Sequence, residues 1–370
     1  MARILMCSSD WYLAPPPKRG ETPPYGGGLY YRMVLPGMAL QAAGHQVFIC
    51  PDMTQNPTTG RLNGLDWEID ELTGRRREHR DIDIITTMRW MRQEAPEIVQ
   101  RARRGGQIVI ADVDDFYWGL GTDNAAFWGT HPKANPGVNR DHYLRSIAAS
   151  SYVISSTDFL AEFLSRSNKN TVVQRNMANL EIWRPRDTTV AGDRPRIGWT
   201  GSTGWRKKDL GVLKGILGPF MKQHDLEFAH VGAREDDPAA PLLGLDPETK
   251  ISTSAQCPFA QFPRAVSAAK IDIGIVPMID NSFNECKSAL KGMEYTLVGA
   301  PFIATATSEY RWLDAGLLAT RPHEWLSHLN RLLDPAERTL VNDTAYRRVR
   351  ELDWRVVGKD IVTWYESIVR

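Results

Sequence analysis

Cysteine is scarce. The four thiols, Cys7, Cys50, Cys257 and Cys286, lie far apart and include no CxxC pair. That spacing argues against a disulfide framework and suits a reduced, cytoplasmic setting. A dominant charge is also missing, since 45 Lys and Arg against 44 Asp and Glu leave a net charge of +1. No whole-molecule field steers such a chain to nucleic acid or to an acidic membrane. No apolar run approaches the length of a membrane span, and residues 1–6 do not continue into a signal-peptide core. Low-complexity tracts are absent, and no repeat is visible beyond two similar α/β halves.

A chain of 370 residues is long for a single core, so two domains are expected. Twelve tryptophans are many for this length. Most suit cores and interfaces, and a few could stack on a sugar or base. Residues 3–7 read as a first strand, 8–24 as a Pro-rich loop, 29–43 as a helix and 45–50 as a second strand. Strand, glycine loop, helix, strand is a Rossmann-type opening. Gly27 and Gly28 would let backbone N–H groups approach an anion, or serve only as a flexible turn. Residues 51–81 read as loop, with the basic run Arg75, Arg76, Arg77 on a solvated surface.

Strands at 83–88 and 107–111 flank a helix at 94–104. The second strand delivers Asp112, Asp114 and Asp115 at its carboxyl end, where open α/β sheets bind ligands. Three carboxylates there could bind a divalent metal, act as a base, hold acceptor hydroxyls, or merely cap a helix. Residues 119–139 read as a loop, then helix 140–149, strand 152–155, helix 157–165 and strand 171–174. Residues 185–195 are the clearest linker. The alternation then restarts with a strand at 196–199, the loop Gly201, Ser202, Thr203, Gly204, and the basic run Arg206, Lys207, Lys208 before a helix at 209–223. This is either a phosphate site or a turn with a basic helix start. A strand at 227–231 and a helix at 262–269 follow, and helices at 309–313 and 322–333 precede an amphipathic, aromatic-rich segment at 344–370.

The most informative stretch is 271–304, IDIGIVPMIDNSFNECKSALKGMEYTLVGAPFIA. Its apolar run at 271–276 stops at Pro277, as a buried parallel strand would. Ser282 with Glu285 has the form of a capping box, which predicts a helix from there to Gly299, followed by a strand at 301–304. At about 100° per residue, Lys287, Lys291 and Glu294 share one face and Leu290, Met293 and Leu297 another. Two lysines near a helix start favour an anion, and Glu294 could hold sugar hydroxyls. The same three residues could equally form a solvated face with an i,i+3 ion pair.

This stretch resembles the donor-binding region of GT-B glycosyltransferases, specifically the family 4-like group (group 1) in a bacterial and bacteriophage branch. Asp272, Pro277, Phe283, Asn284, Lys287, Ser288, Lys291, Glu294, Tyr295, Gly299 and Pro301 match the pattern DI-x-hydrophobic-x-P, F-N-x-x-K-S-x-x-K-x-x-E-Y, G-x-P. The wider family carries two glutamates eight positions apart on this helix. The second falls at Glu294, a ribose contact, and the first falls at Cys286, beside Glu285. The blocks PYGGGLYYRMVLPGMALQAAGHQV, GGQIVIADVDDFYW and IGWTGSTGWRKKDL resemble other parts of the same family.

The resemblance implies an α/β GT-B fold, two Rossmann-like domains facing across a cleft, with a last helix crossing back to the first. It implies an acceptor-binding domain at 1–186 plus a crossing helix at about 354–370, and a nucleotide-sugar-binding domain at 194–350. It also implies a metal-independent, retaining hexosyltransferase chemistry in which a sugar leaves a nucleoside diphosphate for an acceptor hydroxyl, with no cofactor. Donor contacts would come from Gly27, Gly28, Gly201, Ser202, Arg206, Lys207, Asn284, Lys287, Ser288, Lys291 and Glu294. Asp114 or Asp115 would be the base if the reaction inverts. A sugar-nucleotide epimerase or phosphorylase, and a non-catalytic sugar-nucleotide-binding protein, are the alternatives. The acceptor is open among glycan, lipid, small molecule, protein and modified DNA base.

Overall fold

A computed structural model describes residues 1–8, 25–50, 82–183, 185, 195–234 and 238–369. The Pro-rich loop beyond residue 8, the Arg75–Arg77 run and most of the expected linker fall outside the described residues. The chain divides into two compact units. Unit 1 comprises Met1–Trp118, Ala126–Met177 and Trp354–Arg370, and unit 2 comprises Gly119–Ala125 and Ala178–Asp353.

In unit 1 the strands are β1 (Arg3–Ser8), β2 (Gln46–Cys50), β3 (Ile84–Met88), β4 (Ile108–Val113), β5 (Tyr152–Ser155) and β6 (Thr171–Val173). They form one parallel sheet in the order β2-β1-β3-β4-β5-β6. The helical entry after residue 26 runs as α1 (Gly27–Leu29), a π turn (Tyr30–Val34) and α2 (Leu35–Ala42). Next come α3 (Ala95–Arg104), α4 (Ala125–Thr130), α5 (Arg140–Ala149) and α6 (Asp158–Leu164). Helix α4 departs from the loop expected at 119–139; none of its residues is buried, so it has no apolar stripe to announce it. Beneath β1, β3 and β4, Leu5, Ile85 and Val109 join Ile98 and Val99 of α3 in a core.

Unit 2 opens with β7 (Arg196–Thr200), a 3-10 turn at Thr203–Trp205, α7 (Lys207–Gly211) and α8 (Leu217–Gln223). The single helix expected at 209–223 is therefore two, parted at Gly215, which has φ +83°. Then follow β8 (Glu227–Ala233), α9 (Ala239–Leu243), β9 (Ile251–Ala255), α10 (Phe262–Ala268) and β10 (Ile273–Val276). After these come α11 (Ser282–Glu285), α12 (Leu290–Leu297), β11 (Phe302–Thr305), α13 (Ser308–Leu313), β12 (Leu317–Ala319), α14 (Pro322–Arg331) and α15 (Pro335–Val349). The parallel sheet runs β12-β11-β10-β7-β8-β9. Chain order reverses between β7 and β10, which marks the topological switch point where such sheets bind ligands.

The helix predicted as continuous from Ser282 to Gly299 also breaks. Its cap is Asn281, whose side chain accepts from Asn284 N at 2.8 Å. Glu285 does not close a capping box with Ser282. Its Oε2 instead accepts from Ser308 N at 3.1 Å and Ser308 Oγ at 2.8 Å, capping α13. The chain leaves helical form between Glu285 and Leu290 and restarts as α12. There Met293 and Leu297 are buried and Leu290 is half-buried.

The final helix, α16 (Trp354–Val369), returns to unit 1. Gly358 sits against Ala39 of α2, where a Cβ would come within 2.8 Å of the alanine methyl. Tyr365 hydroxyl lies 3.1 Å from Thr86 Oγ1, and Trp364 meets the edge of Tyr152. Each sheet is thus parallel and flanked by helices, with the last helix crossing back to the first unit as expected.

Candidate functional site

The carboxyl ends of β7 and β10 converge on a group of charged side chains in unit 2. Gly274 of β10 lets α12 approach the sheet, because a Cβ there would come within 2.5 Å of the Tyr295 ring. Tyr295 hydroxyl donates to Gly198 O of β7 at 3.3 Å, which anchors the helix over the switch point. This docking carries Lys291 to the end of β7. Its Nζ donates to Thr200 O and lies 4.9 Å from the centroid of a Trp199 ring. Gly201 has φ +125°, and a Cβ there would come within 2.8 Å of Lys291 Nζ.

Arg206 is held on the same side by two acceptors. Its Nη1 donates to Asp209 Oδ2 at 3.1 Å and to Asn284 Oδ1 at 3.3 Å. Asp209 is 6% exposed, and its Oδ1 accepts from Asn284 Nδ2 at 2.7 Å and from Ile279 N at 3.0 Å. Two cations approach the Phe283 ring, Lys287 Nζ at 4.4 Å and Arg206 Cζ at 6.0 Å from its centroid. Glu294 is buried one turn beyond Lys291. Burial first, and then Arg206 and Lys287, push the Lys291 ammonium down to a pKa of about 7, against the opposing pull of Glu294 and Asp209.

The buried hydroxyls of Ser202 and Thr307 find no hydrogen-bond partner among the described residues. Ser202 follows Gly201, against which Lys291 Nζ rests, and an orphaned hydroxyl there suits a ligand rich in acceptor oxygens.

Of the residues expected from sequence, the fold groups Gly201, Ser202, Arg206, Asn284, Lys287, Lys291 and Glu294 in unit 2. Lys207 opens α7 with its side chain exposed, and Ser288 sits half-buried in the break between α11 and α12. Lys287 does not share a helical face with Lys291, because the break separates them; it joins the cluster by lying over Phe283. Cys286 is buried, and Glu285 is engaged by Ser308. Asp209, Trp199 and Asn281 escaped sequence reasoning. Asp209 follows a basic run and reads there as a helix-start acid, while a tryptophan at the end of a strand reads as core.

In unit 1, Gly27 and Gly28 begin α1. The aspartates at the end of β4 have separate fates. Asp112 is buried and receives Arg32 Nε and Nη2, each at 2.9 Å. Arg32, from the π turn, also donates through Nη1 to Gln174 O at 2.6 Å and Asn176 Oδ1 at 3.2 Å. Burial raises the Asp112 carboxyl above its ordinary pKa, and the guanidinium opposes that shift. Asp114 is paired with Arg89, a non-glycine residue at φ +59° that follows β3. Asp112 and Asp114 therefore face guanidinium groups, an arrangement unlike a divalent-cation site. Among the described residues no group of three His, Cys, Asp or Glu side chains is placed to hold a metal ion. No described helix is long and apolar enough to cross a membrane.

No protein-family model and no curated protein sequence matches this chain. Solved structures do. A glycosyltransferase from Rickettsia africae superposes with a TM-score of 0.63 at 13% identity, covering 100% of this chain and 99% of that one. Anabaena HepE, solved in complex with UDP, gives a TM-score of 0.65 at 13% identity over 99% of this chain and 100% of that chain. An O-GlcNAc transferase from Thermobaculum terrenum gives 0.53 at 15% identity over 100% of this chain and 67% of its own. The likeness spreads over several different glycosyltransferases and does not single out the family 4-like group. Two parallel sheets flanked by helices, the returning last helix and these superpositions together give the chain a GT-B fold.

Proposed function

We propose that this protein is a glycosyltransferase of the family 4-like group. It moves a hexosyl unit from a nucleoside-diphosphate sugar to an acceptor hydroxyl, with retention and without a metal. The observation that carries the reading is the grouping of Arg206, Lys287 and Lys291 beside Gly201 at the switch point of unit 2. Breaking the anomeric bond leaves charge on the departing diphosphate, and preorganised cations are the main means of stabilising it. Arg206, Lys207, Lys287 and Lys291 take that role. Ser202, Asn284 and Ser288 line the same site, and Glu294 binds the ribose. The structure of HepE with UDP-glucose supports a sugar-nucleotide donor by likeness of fold.

Residues 194–350 are assigned to the donor, and 1–186 with the helix at 354–370 to the acceptor. Gly27 and Gly28 offer backbone N–H groups to an anion at the start of α1. If the reaction inverts, Asp114, which pairs with Arg89, or Asp115 is the base. A second reading, a non-catalytic sugar-nucleotide-binding protein, is favoured by one observation. The position of the family's first glutamate is the buried Cys286, and the neighbouring Glu285 caps another helix.

Mass spectrometry of sugar nucleotides incubated with the protein and pools of glycan, lipid, protein and modified-base acceptors tests the reading. Release of nucleoside diphosphate with a mass-shifted acceptor is expected. Epimerisation or phosphorolysis without an acceptor overturns it in favour of those enzymes. Tight binding with no turnover overturns it in favour of the binding protein.

A further inference from the structure

Lys291 occupies an unusual position for a cation. Among the described residues no carboxylate lies within ion-pair distance of its nitrogen. Its neighbours are a backbone carbonyl, Thr200 O, and the face of Trp199. The nitrogen sits in the space that a side chain on Gly201 would fill. The loop around it is held from the other side, since His230 Nε2 lies 2.9 Å from Gly201 O and its ring packs on Trp199 with centroids 4.9 Å apart. The ionisable groups around the amine are Arg206 and Asp209 from the β7–α7 segment, Lys287 from the break before α12, Glu294 and Tyr295 from α12, and His230 from β8. Two of these cations repel an ammonium at Lys291, while Glu294 and Asp209 attract it.

We propose that Lys291 is a latch that couples seating of the donor to proton uptake. In the empty protein its amine rests on the Thr200 carbonyl in the space left by Gly201. A ligand carrying two linked phosphates draws the same nitrogen, as an ammonium, towards its oxygens. One proton passes from solvent to Nζ, and no bond other than that N–H is made or broken. This rests on reading the site as a donor diphosphate site, and adds how its occupancy responds to pH. The physical cause is that burial, with repulsion from Arg206 and Lys287, disfavours charge on Lys291, and an anion seated among the three supplies the attraction that offsets both. The donor therefore binds tightly where Lys291 is already charged and more weakly as pH rises above neutrality.

The probe is UDP-glucose, whose diphosphate carries no ionisation near neutrality and so contributes no proton of its own. Titration calorimetry is run in HEPES and in Tris, whose ionisation enthalpies differ, at pH 7 and pH 8. The wild type is expected to take up about half a proton per ligand at pH 7 and close to one at pH 8, given a free-state pKa of about 7. Lys291→Met, checked for folding by its urea midpoint, is expected to bind with no uptake. Gly201→Ala, which puts a methyl where the nitrogen rests, is expected to lose most of the uptake. Binding without uptake by the wild type overturns the latch and leaves the donor-site reading standing, and so does uptake that persists in Lys291→Met. If UDP-glucose does not bind at all, the donor-site reading fails instead. Acetic anhydride labelling of Lys291 in the ligand-free protein then decides the latch's empty state. A labelling midpoint at the ordinary lysine value of 10.5 contradicts it, and one near 7 supports it.

Discussion

Asn284 Nδ2 donates to Asp209 Oδ1 at 2.7 Å, joining two residues 75 apart in the chain. Through this contact α11 and α7 share one carboxylate, whose other oxygen receives Arg206. Replacing Asp209 by alanine leaves Asn284 Nδ2 without this acceptor and removes the acceptor of Ile279 N. Each buried donor stripped of its partner costs on the order of 1–3 kcal/mol. The expected outcome is a lower urea midpoint together with weaker nucleotide binding, because Arg206 loses one of its two acceptors. An unchanged midpoint contradicts the clamp.

Ser202 should behave in the opposite way. Its buried hydroxyl has no partner among the described residues, so Ser202→Ala removes nothing the empty fold uses. Stability should be unchanged or slightly higher in chemical denaturation. If the hydroxyl donates to a phosphate oxygen, affinity for a nucleoside diphosphate should fall by roughly tenfold or more, the value of one hydrogen bond to a charged group. Equal affinity in calorimetry removes Ser202 from the site.

The aspartates after β4 should separate by stability. Asp112→Ala strands the buried Arg32 guanidinium, and breaking such a pair costs about 3–5 kcal/mol. Asp114→Ala removes a part-buried pair whose arginine and aspartate side chains are 26% and 13% exposed, and its cost should be smaller than that of stranding Arg32. Denaturant titration of both variants checks the order. Comparable losses would mean that the Arg89 pair carries as much of unit 1 as the Arg32 pair.

Lys291 also predicts a slope of stability with pH. Its pKa in the fold is depressed to about 7 from 10.5, so between these values the unfolded chain binds more protons than the native one. Stability contributed by this group therefore rises with pH across that window, and its cost to the fold is complete below it. Lys291→Met should flatten the rise measured by urea titration between pH 7 and pH 10. An identical slope in the variant places the titration elsewhere.

The alternation of strands and helices was largely readable, because β1, β5 and β10 are mostly apolar runs ended by serine or proline. The span Arg140–Ala149 even matches to the residue, with Asn139 capping it. Strand β9 was not readable: four of the five residues in Ile251–Ala255 are exposed, so the edge strand has no core-facing pattern. Helix α15 buries only Val341, Ala345 and Val349 along its 15 residues, too thin a stripe to stand out. The lysine cluster was legible as a set of residue types but not as a geometry. Helical phase was extended across Cys286–Ala289, where a contact 23 residues away, Glu285 with Ser308, draws off the expected cap. Pairs such as Arg32 with Asp112, 80 residues apart, leave no local trace at all.

A thermal-shift panel of sugar nucleotides and free nucleotides tests the central claim most directly, run on the wild type, Glu294→Ala and Lys287→Ala. A ligand that binds only the folded state raises the melting temperature by mass action. The account predicts selective stabilisation by one nucleoside diphosphate and its sugar ester, lost or strongly reduced in both variants. No stabilisation by any nucleotide, or stabilisation that survives unchanged in both variants, would contradict it.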